Sequence, residues 1–269
     1  GARAGLVHAW TEGAGRGDGG LVVLSRWPIL RARFEPFLLC GLPQRLGQMD
    51  YWAGKGLASV VVDTPAGELE LIDTHLHAAY GRVGFADEYV GHRMAEIVQL
   101  AHAVASTPLP VVVLGDLNAY AYRAELSVLR RTTGLVDVAW TVGKAAATVV
   151  PPSAYRPNEN PPGPRIDYAL ARAGARTGLR PVDALRVLDR DFEIDGVRAT
   201  YSDHAGVLAV VELGGPGTPL PAPDAASMAR ARRTLAYGRR IAAARRRHQR
   251  LVAGGGIALG LARDRKSVV

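Results

Sequence analysis

The sequence predicts an α/β fold in which two packed, mixed β-sheets carry helices on their outer sides. Three observations lead there. Runs of β-branched and apolar residues, Val111 to Leu114 above all, read as buried strands. Two such runs, residues 57–63 and 69–74, flank the turn signal Thr64-Pro65-Ala66-Gly67 and read as an antiparallel hairpin, which argues against a doubly wound parallel sheet. Strands and helices otherwise alternate irregularly, and clusters of acids and histidines fall where strands end.

In chain order, residues 21–24 form a short apolar strand after Gly19-Gly20, and in Ser25-Arg26-Trp27-Pro28-Ile29, which comes next, Pro28 ends any ladder. Residues 34–40 are apolar again, and 41–56 form a loop holding Tyr51, Trp52 and Lys55; a lysine in such a loop is by itself a solvated surface amine. His75 and His77 follow the second hairpin strand on the same side of an extended chain. Zinc would need further ligands, and no matching pair lies nearby. From Asp87 to Ala105, the residues Val90, Met94, Ile97, Val98, Ala101 and Val104 recur at helical spacing, with His92 and Arg93 read as a surface pair.

The strand from Val111 then delivers Gly115-Asp116-Leu117-Asn118. Gly115 lets the backbone turn. Asp116 and Asn118, two apart on extended chain, project to one side, so that a carboxylate and a carboxamide converge on a hard cation or on a phosphate with its attacking water. A helix over about 123–131, a Pro-rich loop over 151–164 and a strand over 166–171 carrying Asp167 come next. Asp203-His204 closes a turn, and 206–213 is the last strand.

The composition bounds the chemistry. A chain of 269 residues with 48% hydrophobic content can pack a large core. The single cysteine, Cys40, excludes an internal disulfide and a thiolate cluster. No glycine-rich phosphate loop of the nucleotide-binding type occurs. Of the 33 Lys and Arg, twelve fall from Ala225 onward against one of the 25 acids, so residues 1–224 hold 21 basic and 24 acidic groups. The net charge of +8 belongs to the tail. A body that gripped duplex phosphates would carry a basic face of its own, so nucleic acid is the less favoured partner.

Together these residues fit metal-assisted hydrolysis of a phosphate ester. His204 is the candidate general base, because imidazole titrates near neutrality, and Asp167 is a candidate for fixing its tautomer and stabilising the imidazolium. Asp116, Asn118, His75 and a cation would supply positioning and charge.

Thr74-His75-Leu76, Gly115-Asp116-Leu117-Asn118, Arg165-Ile166-Asp167-Tyr168 and Ser202-Asp203-His204 stand in the order found in the endonuclease/exonuclease/phosphatase superfamily, which the sequence resembles from about Gly20 to Leu213. The resemblance implies a four-layer α/β sandwich, Asp116 and Asn118 orienting water and phosphate, His204 as base held by Asp167, Asp203 beside the metal, and His75 on the phosphoryl oxygens. Within that superfamily the chain resembles membrane-anchored neutral sphingomyelinases. The marks are Asp50-Tyr51-Trp52-Ala53-Gly54-Lys55-Gly56, Thr74-His75-Leu76-His77-Ala78-Ala79-Tyr80, His92-Arg93, and Val150-Pro151 leading to Tyr155. By that likeness Lys55, His77 and Arg165 contact the substrate, Mg²⁺ is the cofactor, and the reaction is phospholipase C-type cleavage of sphingomyelin or a related choline phospholipid. The family's Asn and metal-binding Glu precede the strand at 21–24, and Glu12 matches neither motif, so this chain is expected to bind Mg²⁺ poorly.

Alternatives are a DNA endonuclease or exonuclease of the same superfamily, an inositol-phosphate phosphatase, and a non-catalytic membrane-bound binding module. The expected organisation is a catalytic domain over 1–214 with its N-terminal part missing, a Pro/Gly linker over 215–224, and a basic amphipathic helix over 225–250. Residues 251–263 would start a transmembrane span. The last six residues, 264–269, match the translation of a sequencing adapter. Arginines ahead of Leu251 place the membrane-associated catalytic domain on the cytoplasmic side, beside a phospholipid surface.

Overall fold

The computed structural model describes residues 4–12, 20–43, 48, 50–80, 87–150, 163–194 and 197–264, with side chains described outside 194, 197–199 and 251–264. The elements are β1 (His8–Trp10), β2 (Val23–Ser25), β3 (Ile29–Pro36), α1 (Asp50–Ala53), β4 (Gly56–Thr64), β5 (Gly67–His75), α2 (Val90–Ala105) and β6 (Val111–Asp116). There follow α3 (Ala124–Thr133), β7 (Val136–Asp137), α4 (Val138–Thr141), β8 (Asp167–Arg172), β9 (Thr177–Val187), β10 (Asp191–Ile194), β11 (Val197–Thr200), β12 (Gly206–Pro216) and α5 (Ala225–Asp264). Most of the Pro-rich loop, with Tyr155, and the tail after Asp264 lie outside the described residues.

Six strands form one sheet in the order β3-β4-β5-β6-β8-β7, in which β5 and β6 are parallel and every other pair is antiparallel. The period-2 alternation of the strands builds a core on each face. On one side Val111, Val113, Ile72, Leu57 and Leu170 pack against Met94, Ile97 and Leu100 of α2 and Leu126 and Leu129 of α3. On the other, Val112, Val60, Val62, Ala169 and Ala171 meet Val23, Val138 and Ala184, with Leu179, Val207, Ala209 and Val211 against them. The second β layer is therefore present, as an antiparallel ribbon β9–β12 and a short pair β1–β2 rather than one continuous sheet. The outward residues of that ribbon, Val182, Leu185, Leu208 and Val210, are exposed.

The expected hairpin is β4–β5, and the amphipathic helix is α2. Two strands were not expected from the sequence, and one expectation needs correction. The strand after Pro28 begins at Ile29 and pairs along β4 to Pro36, because β4 offers an edge whose N–H and C=O groups must be paired. β9 is an eleven-residue strand that the sequence disguises with Arg180, Pro181, Asp183 and Arg186, since one of its faces is solvated. His92 and Arg93 are no surface pair: Arg93 is buried, with its guanidinium between the carboxylates of Asp87 and Glu125, which compensate its charge inside the fold.

The chain leaves β12 at Pro216 and stays on the body, with Thr218 N donating to Gly174 O. Asp224 caps α5 by accepting from the backbone and hydroxyl of Ser227. α5 then docks on α2 and α3 through Ala231 and Leu235. At the crossing, Gly238 meets Gly91 so closely that a Cβ on Gly91 would lie 2.9 Å from the Gly238 Cα. Arg245 pairs with Glu88 beyond it. Among the described residues no helix is long and apolar enough to cross a membrane.

Candidate active site

β5 and β6 run parallel and β8 runs against them, so the ends of β5 and β6 and the start of β8 meet at one end of the strands. The registers set His75 opposite Asp116 and Asp116 opposite Asp167, one row across three strands. Gly115 is what lets β5 and β6 close up there. It sits at φ 141°, and a Cβ would fall 1.8 Å from the Thr74 carbonyl oxygen.

His204 completes the row from the loop before β12, its Nδ1 2.9 Å from Asp167 Oδ2. That bond puts the ring proton on Nδ1 and leaves Nε2 as a proton acceptor. Asn118 lies just past β6 in the left-handed region, φ 46°, and is held there by the carboxylate it follows. Its N–H donates to Asp116 Oδ1 (2.8 Å), and its side-chain amide donates to Asp116 Oδ2 (3.1 Å) and Leu76 O (2.9 Å). His75 Nε2 lies 3.5 Å from Asp116 Oδ2.

The electrostatics of the row follow from this crowding. Burial, and then the Asp167 carboxylate, push Asp116 up to about 6. Loss of solvent around its ring, and then the Lys55 ammonium, lower His75 and keep it a neutral imidazole near pH 7. His204 goes the other way: its hydrogen bond to Asp167 raises it, burial opposes, and the charges of Asp167, Asp116 and Asp203 add to the rise. Asp116, Asp167 and His204 each present a ligand atom, all within 4.8 Å of one another, and form the one group of three such residues among the described residues able to hold a cation.

Asp203 precedes His204 and adds negative charge to it, but is not part of that group. The other three expected residues stand behind the row. Lys55 is 5% exposed; its ammonium is 2.6 Å from Asp50 Oδ1 and donates to Leu76 O at 2.7 Å, so the surface-amine reading fails. Leu76 O thus accepts from both Lys55 and Asn118. His77 is fully buried, stacked on Tyr89 with ring centroids 4.0 Å apart, its N–H donating to Glu96 Oε2 and its Nδ1 paired with Ala78 O. Arg165 binds Asp137 at 2.6 Å and lies over the Tyr168 ring.

Sequence reasoning missed Glu96 and Thr148. Glu96 is 1% exposed, and burial pushes it up to about 7. Its place on the apolar face of α2, beside Arg93, was the available signal. Thr148, also buried, had none, since it comes from a segment without a repeating pattern.

Comparison with known proteins shows the family. The model of the Endonuclease/Exonuclease/phosphatase family matches residues 2–204. Among curated proteins, a putative neutral sphingomyelinase of Drosophila melanogaster is 27% identical over 230 residues, covering 79% of this chain and 49% of that protein. An inositol phosphosphingolipids phospholipase C of Schizosaccharomyces pombe is 31% identical over 158 residues, 57% of this chain and 35% of that protein. The chain thus spans half or less of the length of these relatives. Among solved structures, D. rerio TDP2 complexed with a single-strand DNA product superposes with a TM-score of 0.56 at 18% identity, covering 78% of this chain and 79% of that one, a likeness of fold.

Proposed function

The chain belongs to the endonuclease/exonuclease/phosphatase family, and from that premise we propose that it cleaves the phosphodiester of a sphingolipid, sphingomyelin or a related choline phospholipid, in the manner of a phospholipase C. The observation that carries this reading is the row His75–Asp116–Asp167 with His204 bound to Asp167. The sphingolipid substrate is supported by what the curated relatives are said to act on.

In this reading His204 Nε2 takes the proton from water as it attacks phosphorus, and Asp167 stabilises the imidazolium. Asp116 fixes Asn118, whose amide nitrogen is spent on Asp116 Oδ2 and Leu76 O, so that its Oδ1 accepts from and orients the attacking water. His75, neutral near pH 7, donates to a phosphoryl oxygen. Lys55 serves the site through the Leu76 carbonyl it shares with Asn118, and His77 and Arg165 hold the walls through their buried partners.

A divalent cation fits the donor set. Two carboxylates face each other at the row, and burial, with the Asp167 carboxylate beside it, pushes Asp116 up to about 6, a charge that a cation would favour. Asp116 and the free oxygen of Asp167, with Asp203 close by, would hold Mg²⁺, a hard cation that takes oxygen ligands and would supply Lewis-acid stabilisation of the phosphoryl charge. Weak cation binding and impaired turnover are the expectation for this chain, in which Glu12 matches neither family motif.

The partner surface is a phospholipid membrane. Arg123, Arg230 and Arg233 line a groove of about 700 Å³ with Tyr122 and Tyr237, where α5 meets the start of α3. That pairing of guanidinium groups with aromatic rings suits an interface of phosphate headgroups. The catalytic domain faces the cytoplasm, where basic flanks are retained; protease digestion of sealed inside-out vesicles carrying the protein should cleave it, and protection would reverse the orientation.

Labelled sphingomyelin vesicles and supercoiled plasmid, incubated in parallel with the protein and Mg²⁺, separate the substrate classes. Release of labelled headgroup phosphate with intact plasmid is the expected result. Nicked plasmid without lipid turnover would install the nuclease reading, and neither product, with vesicles still bound, the binding-module reading.

A further inference from the structure

Asp167 and His204 come from segments 37 residues apart, on β8 and on the loop before β12, and neither segment reaches the other by sheet pairing. What joins them is a three-residue stretch, 148–150. Thr148 N and Val149 N both donate to Pro164 O (3.3 and 3.1 Å), and Gly163 N returns a bond to Val149 O (3.1 Å). On the other side Val149 bridges His204 in antiparallel fashion, Val150 N donates to Asp203 O (2.9 Å), and Ala205 N donates to Thr148 O (2.7 Å).

Thr148 adds what no other residue of the stretch has. β7 covers β8 only at Leu170 and Ala171, so the N–H groups at the start of β8 need another acceptor. The Thr148 hydroxyl oxygen is that acceptor: it takes the N–H of Ile166 at 3.1 Å and of Asp167 at 3.2 Å. One residue, 2% exposed, therefore holds Asp167 by its side chain and the residue after His204 by its carbonyl.

We propose that Thr148 is a positioning residue for the reaction, which its hydroxyl serves by setting the height of Asp167 against His204. This rests on His204 acting as the base, as proposed above. A backbone clamp alone would fix the two segments equally well with alanine or valine at 148, whereas the hydroxyl bonds go to the very residue that carries the carboxylate.

The test uses Thr148→Val, of similar shape but without an acceptor, and Thr148→Ser, which restores one. The first arm needs no substrate. With the histidines ¹⁵N-labelled and the rings neutral, a long-range proton–nitrogen spectrum reads which nitrogen of His204 carries the proton. The Nδ1–H form is expected in the parent and in Thr148→Ser, and a mixture with the Nε2–H form in Thr148→Val. A pure Nδ1–H ring in folded Thr148→Val would overturn the proposal, as would a mixed ring in Thr148→Ser.

The second arm is a double-mutant cycle on phosphodiester turnover. Thr148→Val should lower kcat by about 10- to 100-fold with KM little changed, as small displacements of catalytic groups do. The same change in a His204→Ala background should cost nothing more. Equal losses in both backgrounds mean a structural role and refute the proposal. Absence of turnover by the parent on any phosphodiester would refute the functional reading while leaving the spectral arm to decide about Thr148.

Discussion

Two polar regions lie against each other here, and they obey opposite rules. In the cluster behind the site, each described cation has its anion: Lys55 has Asp50, and Arg93 has Asp87 and Glu125, all buried but the partly exposed Asp87. In the row at the strand ends, Asp116, Asp167 and Asp203 gather around two histidines, one of which, His75, is kept neutral, and Asp116 is pushed up to about 6. A buried charge without partners is costly, so the paired cluster, Glu96 apart, is built for stability, and the row, where Asp116, Asp167 and Asp203 gather, for a positively charged visitor. The difference teaches where to look for chemistry: at negative charge the fold leaves unneutralised, more than at the largest number of polar residues.

The contrast can be broken first at the row. His204→Ala should lower kcat by about 10²- to 10⁴-fold with the fold intact. Near-parental turnover would remove His204 from the mechanism and shift suspicion to Asp116. Asp167→Asn should cost less and also move the pH profile. A base works deprotonated, and Asp167 holds His204 above its ordinary value, so activity rises through an acid limb displaced to high pH. Without the carboxylate that limb moves to lower pH, and a limb that stays in place would separate His204 from it.

At the cluster the loss should fall on stability. Arg93→Ala leaves Glu125 buried without its cation and should cost about 3–5 kcal/mol in urea unfolding. A cost below about 1 kcal/mol would make the network no more structural than a surface pair. Glu96→Gln should have the opposite sign. Burial raises Glu96 from 4.5 to about 7, so the folded protein keeps a proton that the unfolded chain releases, and stability falls as pH climbs through that window. Removing the charge should stabilise by about 1–3 kcal/mol above pH 7 and by little near pH 4, at about 1.4 kcal/mol per pKa unit. The smallest effect belongs to Arg31→Ala, which breaks a solvated pair with Glu68 and should change stability by less than about 1 kcal/mol.

The sequence made the row readable because its residues sit at strand ends within short, ordered motifs, where period-2 projection determines which way they point. Val111–Asp116, the β4–β5 hairpin and α2 were legible for the same reason: their periods are set by burial on one or both faces. Lys55, Arg93 and Glu96 were not, since a charged residue in a loop or helix looks solvated until its partner, 5 to 32 positions away, is seen beside it. β9 was hidden by its solvated face, and the docking of α5 by two glycines, Gly91 and Gly238, whose only signature is the absence of a side chain. Thr148 makes four hydrogen bonds, all to segments that approach only in the fold.

Cation binding at the row tests the contrast most directly. Mn²⁺, a paramagnetic stand-in for Mg²⁺, titrated into the parent protein and into Asp116→Asn and followed by loss of the free-ion electron paramagnetic resonance signal, reports occupancy without any substrate. Weak but saturable binding in the parent, displaced by Mg²⁺ and lost in Asp116→Asn, is the predicted result. Equal binding by the two proteins, or none by the parent at millimolar cation, would contradict a row of carboxylates built to receive a metal ion.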